Sequence, residues 1–386
     1  MRRFGKLAAA VVLAAASLTG GAAMAGTVKV GVITTTSGPF AEFGRQFQGG
    51  IEAYQKLHGT TAGGQTVEVI YKDVGGASPS NAKRLAQELV VRDKVQILAG
   101  FLFTPNALAA AAVATEAKVP MVVMNAASEG LTSKSPYMVR TSFSLPTTVP
   151  PMAKWAAEHG VKSVYVIVAD YAPGHDVEKA ALAAFPAAGI KVVGDVKTPL
   201  STFDFAPYMQ RVADAKPDAI FAFVNGGSVM VAFMKAYREK GLDKTVKLLG
   251  TGDITSEEEM DVVGPTAVGA VTTYPASMDH QSKENEAFVA AFKAVRDAKA
   301  RPNLMAVAAY DGMDLIYKAL AKTGGKTDAT ALVDAMKGMK IDSPRGPISI
   351  DPKTRDVVQT MYIRRVEKDP KSGLYVNREF GSYPPQ

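Results

Sequence analysis

The sequence predicts an α/β protein of two lobes, each a doubly wound parallel sheet with helices on both faces. Short runs rich in β-branched residues alternate with helical stretches from Val28 to Tyr274. Parallel neighbours need a long crossover, and a helix supplies it. The alternation restarts after Tyr137–Thr141, as a second unit would, and 386 residues suit two domains of ordinary size.

At the start of the chain Met1, Arg2, Arg3 and Lys6 lead into an uncharged apolar stretch, Leu7–Leu18, and then into Ala23-Met24-Ala25. A basic start, an apolar core of roughly a dozen residues and an A-x-A site form the pattern of a signal peptide. A membrane-spanning helix needs about 20 apolar residues. Cleavage is expected after Ala25, giving a soluble periplasmic protein that begins at Gly26. No Cys follows the apolar core, so lipid attachment there is not expected.

In the first lobe Val28–Thr35 reads as a strand and Phe43–Leu57 as a helix. Thr66–Asp73 is the next strand. The helix Asn81–Val91 follows, with Leu85, Leu89 and Val90 on one face. Strand Val95–Gly100, the Ala-rich helix Pro105–Ala117 and strand Met121–Asn125 complete the unit. In the second, helix Thr148–His159 precedes strand Ser163–Asp170, and helix Asp176–Ala188 precedes strand Lys191–Thr198. Helix Tyr208–Ala213, strand Ala219–Asn225, helix Ser228–Lys240 and strands Val246–Gly250 and Val268–Tyr274 follow. Two further helices, Asn285–Ala298 and Ala306–Lys322, have no strand between them and are expected to return to the first lobe.

Apolar residues make up 47% and charged residues 21%, the composition of a chain with a real core. The absence of Cys excludes thiolate metal sites and a Cys nucleophile. Three cations of the +7 formal charge lie in the leader, which leaves +4 on the mature chain. Arg364-Arg365 is followed by Glu367 and Asp369 and reads as a solvated strand edge, so nucleic-acid binding is not expected. His58, His159, His175 and His280 show no metal-binding spacing, and no G-x-S-x-G, Walker loop or complete dinucleotide fingerprint occurs. Neither catalysis nor a cofactor is expected.

Ligands of open parallel sheets bind beyond the carboxyl ends of the strands. The loops there are Thr34–Phe40, with Ser37; Gly100–Pro105, with Thr104 read as a helix N-cap; and Asn125–Ser128. In the second lobe they are Asp170–Gly174, Asn225–Ser228 and Gly250–Asp253. Helix N-termini and capping hydroxyls can hold a carboxylate without a buried Arg. Each loop taken singly also suits a purely structural role, such as a turn or a cap.

Val30–Pro39, Leu98–Thr104, Val119–Ser128, Val168–Gly174, Lys216–Asn225, Ala309–Leu315 and Ser343–Asp351 together resemble the periplasmic binding proteins of branched-chain amino-acid transport, the type I fold. The resemblance implies three crossovers between lobes, here 26–145 plus 276–350 and 146–275 plus 351–386. It also implies a monomer that closes on one ligand and delivers it to a membrane permease driven by ATPase subunits. Carboxylate-binding hydroxyls fall on Thr104 and Ser128, with the backbone of Ala126 nearby, an aromatic wall on Phe43 and a hydrophobic wall on Met305. The family's acidic residue for a ligand ammonium falls on Gly252, with Asp253 one residue late. A tyrosine expected within Asn225–Ser228 is missing.

A buried ammonium without an anion costs several kcal/mol. Phe40, Phe43, Phe101, Phe103 and Tyr171 are candidate flat walls, and the runs Asp170–Gly174 and Ser343–Asp351 resemble the family's aromatic-acid branch. The expected ligand is a small carboxylate of the hydroxybenzoate kind, with aliphatic amino acids as the alternative. A sensor docking to a receptor is the alternative of another class. Lobe 1 is expected to bind first, and lobe 2 to close with Tyr171 and Asn225.

Overall fold

The structure, a computed structural model, describes residues 26–385. The leader assigned to 1–25 lies outside the described residues. No helix among those described is long and apolar enough to cross a membrane.

The first sheet contains β1 (Thr27–Thr34), β2 (Thr61–Ala62), β3 (Gln65–Asp73), β4 (Ile97–Gly100), β5 (Met121–Val123) and β6 (Met138–Arg140), in the order β2-β3-β1-β4-β5-β6. All neighbours are parallel except the short β2. Helices α1 (Ala41–His58), α2 (Pro79–Gln87) and α3 (Thr104–Ala117) supply crossovers. The second sheet repeats the plan with β7 (Ser163–Ala169), β8 (Lys191–Thr198), β9 (Ala219–Phe223), β10 (Lys247–Thr251) and β11 (Val271–Tyr274). Its helices are α4 (Val149–Glu158), α5 (Ala172–Ala187), α6 (Ala206–Ala215), α7 (Ser228–Glu239) and α8 (Met260–Ala267).

The chain then returns to the first lobe. There α9 (Lys283–Val295) and α10 (Leu304–Thr323) pack on α1. Gly50 permits the close approach of α10, because a Cβ at that position would collide with the backbone of Ala306. Helix α11 (Ala329–Met336) and a small antiparallel sheet of β12 (Lys340–Ser343), β13 (Gly346–Ile350) and β14 (Val357–Val358) follow. A third crossover delivers β15 (Met361–Lys368) and β16 (Tyr375–Tyr383), which extend the second sheet antiparallel beyond β11. The two α/β sheets and three crossovers match the predicted fold class.

Three local expectations are corrected. Arg364 is not on a solvated edge: β15 lies between β11 and β16, and Arg364 is 2% exposed. A bulge, with Phe380 as the extra residue on β16, shifts the register between Ile363 and Arg364, so strict alternation fails there. Thr104 does not cap its helix, because Phe103 holds the N-cap position and no side chain caps it. Helix α5 begins at Ala172 rather than Asp176, with Pro173 in its first turn, where a missing N–H costs nothing.

Candidate functional site

In each sheet the strand order reverses beside the first strand of the unit, between β1 and β4 and between β7 and β9. Loops leave such a switch point in opposite directions and open a crevice. The crevices of the two lobes face each other, and a cavity lies between them.

Phe43 from α1, Phe103 from the loop after β4 and Met305 from α10 form apolar walls on the first-lobe side. Asn125 joins them, and its Nδ2 donates to Leu102 O at 2.9 Å, tying two loops of the cavity wall together. From the second lobe come Tyr171, Asn225 and Asp253. Tyr171 meets Phe103 edge-on across the cleft, with ring centroids 6.4 Å apart, and stacks on Phe223 at 6.0 Å. Its hydroxyl donates to Asn225 Oδ1 at 3.0 Å. Asn225 Nδ2 is buried without a partner, so a donor stands ready at the wall.

Asp253 accepts from Thr251 Oγ1 at 2.8 Å and from Tyr274 Oη at 3.2 Å. Burial pushes its carboxyl up to about 6, against the pull of those two donors and of Arg364. Burial and the nearby Asp253 charge also push the Tyr171 hydroxyl up, so it stays a neutral donor.

Thr104 and Ser128 lie one layer deeper. Thr104 Oγ1 accepts from Ser128 N at 3.3 Å, and Ser128 Oγ is buried without a partner. Phe40 buttresses the wall through Phe43 and Phe103, at centroid distances of 6.1 and 5.1 Å.

Three predicted residues are placed elsewhere. Phe101 has a left-handed backbone (φ 69°), and its side chain is fully buried in the core under α2 and α3. The N–H of Ala126 is spent on Phe101 O at 2.9 Å, and Ala127, not Ala126, lines the cavity. Ser37 is exposed and does not line the cavity; its hydroxyl is near Asp73. Burial pushes the Asp73 carboxyl up, but the hydrogen bonds from Ser37, Thr36 and Gly75 outweigh it and hold the group below its usual range.

Leu102, Phe143, Leu145, Pro173, Phe223 and Gly226 also line the cavity and were missed. Phe223 ends β9, so the strand-end rule could have found it. Phe143 and Leu145 belong to a crossover, which must pass the cleft. The glycines explain the two departures in the second lobe. A Cβ on Gly226 would lie 2.9 Å from Phe43 Cζ, so the aromatic wall of the first lobe occupies the space beside this loop. A Cβ on Gly252 would overlap the Tyr274 ring and lie 2.6 Å from Arg364 Nη2.

The lobes touch around the cleft. Ser228 Oγ donates to Pro39 O at 3.4 Å, Glu129 N to Asp176 Oδ2 at 3.0 Å, and Asn303 Nδ2 to Glu258 Oε1 at 2.6 Å. Among the described residues no cluster of three or more His, Asp or Glu could hold a metal ion.

Residues 27–371 match a family described as periplasmic binding protein. The "Leu/Ile/Val-binding protein homolog 6" of Brucella melitensis is 46% identical over 382 residues, 99% of this chain and 98% of its own. The solute binding protein of an ABC transporter from Rhodopseudomonas palustris BisB5, solved in complex with 3,4-dihydroxy benzoic acid, is 48% identical with a TM-score of 0.89. A second one, from Rhodopseudomonas palustris HaA2 in complex with p-hydroxybenzoic acid, is 46% identical with the same TM-score. Both comparisons cover 93% of this chain and 98% of the other. A family match across 27–371, joined to relatives of this identity along nearly the whole length, makes the chain a member of the periplasmic binding proteins.

Proposed function

We propose that the chain is the solute-binding component of an ABC importer and captures an aromatic carboxylic acid of the hydroxybenzoate type. The observation that carries this is the second-lobe end of the cavity. Position 252 has no room for a side chain, and the one carboxylate at that end, Asp253, is already engaged by two donors. An ammonium placed there would be poorly compensated, whereas a phenolic hydroxyl needs only one more lone pair. The aromatic rings of Phe43, Phe103 and Tyr171 suit a flat ligand.

In this proposal the ligand carboxylate meets the hydroxyls of Thr104 and Ser128 near the start of α3, where the helix dipole favours an anion. The ring lies between Phe43, Phe103 and Tyr171, and a hydroxyl faces Asp253 and Asn225. Sheet membership supports lobes of 26–145 plus 276–350 and 146–275 plus 351–386, although β14 pairs in the small sheet of the first. The proposal includes cleavage after Ala25, delivery as a monomer to a permease with its ATPase subunits, and no catalysis. Capture of a branched-chain amino acid is the second possibility, favoured by the Asp253 carboxylate, which could meet an ammonium.

A thermal-shift panel of benzoate, 4-hydroxybenzoate, 3,4-dihydroxybenzoate, leucine and valine tests the choice. At about 100 times its dissociation constant a ligand adds roughly 2.7 kcal/mol of stability. Hydroxybenzoates should stabilise most. Stabilisation by leucine and by no benzoate would overturn the aromatic assignment.

A further inference from the structure

Arg364 reaches from β15 into the space that a side chain at 252 would take. It is almost fully buried, and all its hydrogen bonds go to uncharged oxygens. Nε and Nη2 donate to Thr272 Oγ1 at 3.3 and 3.2 Å, Nη1 to Ala276 O at 2.6 Å, and Nη2 also to Thr255 Oγ1 and Gly252 O. Among the described residues it forms no ion pair. Of the acids nearest to it, Glu257 is taken by Arg301 and Glu379 by His280. Burying a cation without a paired anion is costly, so its charge should act on something close by.

What lies close is the ligand end of the second lobe. The guanidinium carbon sits 4.9 Å from the centroid of the Tyr274 ring, and Tyr274 donates to Asp253, which lines the cavity. We propose that Arg364 selects the ligand by charge: it holds Asp253 as an ionised acceptor for a phenolic hydroxyl and repels an ammonium at the same place. It acts through Tyr274 and its field without touching the ligand, and is therefore a positioning residue. The proposal rests on the aromatic-acid assignment above.

The other groups facing Asp253 support this role. Tyr171 arrives from the loop after β7 and Tyr274 from β11, and both hydroxyls are pushed up by burial and stay neutral. Glu258, whose charge is felt at Tyr274, is itself pushed up by burial. Against burial at Asp253, the hydrogen bonds from Thr251 and Tyr274 act first, and the positive charge of Arg364 adds to them.

Calorimetric titration of the mature protein with benzoate, 4-hydroxybenzoate and leucine from pH 5 to 8 tests this. Wild-type affinity for 4-hydroxybenzoate should fall as pH drops through about 6, while benzoate affinity stays level. In Arg364→Gln the midpoint of that fall should move up by about half a pH unit, and the preference for 4-hydroxybenzoate over benzoate should shrink about threefold. Leucine should bind more tightly than before, and Arg364→Lys should restore the midpoint. An unmoved midpoint and preference in Arg364→Gln overturns the proposal. If that variant does not fold, Arg364→Met decides by the same two readouts: an unmoved midpoint and preference overturns the proposal, and a raised midpoint with a reduced preference supports it. A wild-type protein that binds neither acid removes the aromatic-acid assignment itself, and this proposal with it.

Discussion

Asp253 shows how a carboxylate that lines the cavity can cost stability while nothing is bound there. Its ordinary value is 3.8, and burial raises it to about 6 in the fold. The folded chain therefore keeps a proton that the unfolded chain releases. The stability contribution is whole below about pH 3.8 and is lost as pH rises through about 6. At about 1.36 kcal/mol per unit, the ionised group costs up to about 3 kcal/mol above that window. Asp253→Asn should therefore raise the stability of the ligand-free protein at pH 7.5, with the gain vanishing near pH 4. Urea unfolding at the two pH values checks this. An equal effect of the substitution at both would remove the linkage.

At the scale of elements, the ligand loops are held by buried arginines that reach across the chain. Arg140, at the end of β6, donates through Nη1 to Ala126 O at 3.2 Å and to Ser128 O at 2.8 Å. Its Nε donates to Asp356 Oδ1 at 2.7 Å, just before the third crossover, and its Nη2 completes the pair. One side chain thus turns the carbonyls of the Asn125–Ser128 loop away from the cavity and anchors the crossover. Arg345 does similar work beside the first crossover, donating to Ser142 O at 2.9 Å and to Thr141 O while paired with Asp311. Arg140→Met would leave the Ala126 and Ser128 carbonyls without this donor and Asp356 without its cation, held among the described residues only by the Val357 N–H at 2.9 Å. Loss of one partner of a buried pair costs about 3–5 kcal/mol. Chemical denaturation should show a loss of that order, together with weaker ligand binding; a loss under about 1 kcal/mol would show that the loop holds itself.

At the scale of the whole molecule, contacts between the lobes surround the cleft: Ser228 with Pro39, Glu129 with Asp176, and Asn303 with Glu258. With the cavity walls touching across Phe103 and Tyr171, this is a closed arrangement. A ligand shifts an equilibrium only by its differential affinity for the two states. In the proposed function, contacts of the ligand with both lobes would supply that difference, with the three crossovers as the hinge. Small-angle scattering should show a smaller radius of gyration with a confirmed ligand than without. Profiles that superimpose would end the hinge description.

The alternating strands and helices, the restart that makes a second lobe and the strand-end loops that frame the cavity are legible in the sequence. These follow from local periodicity and from the need of parallel strands for helical crossovers. The candidates Phe103, Asn125, Tyr171, Asn225 and Asp253, and Phe43 and Met305 through the family resemblance, are among the residues that line the cavity. Tertiary structure decided what depends on partners distant in sequence. Phe101 turned into the core because its backbone is left-handed, the Ala126 N–H was consumed by Phe101 O, and Phe143 arrived from a crossover. Arg364 read as a surface cation, because a bulge and a covering strand leave no mark on local charge pattern. Gly252 read as an absence. The fold fills that absence with Tyr274 and Arg364, and whether a side chain fits is settled by the space its neighbours occupy.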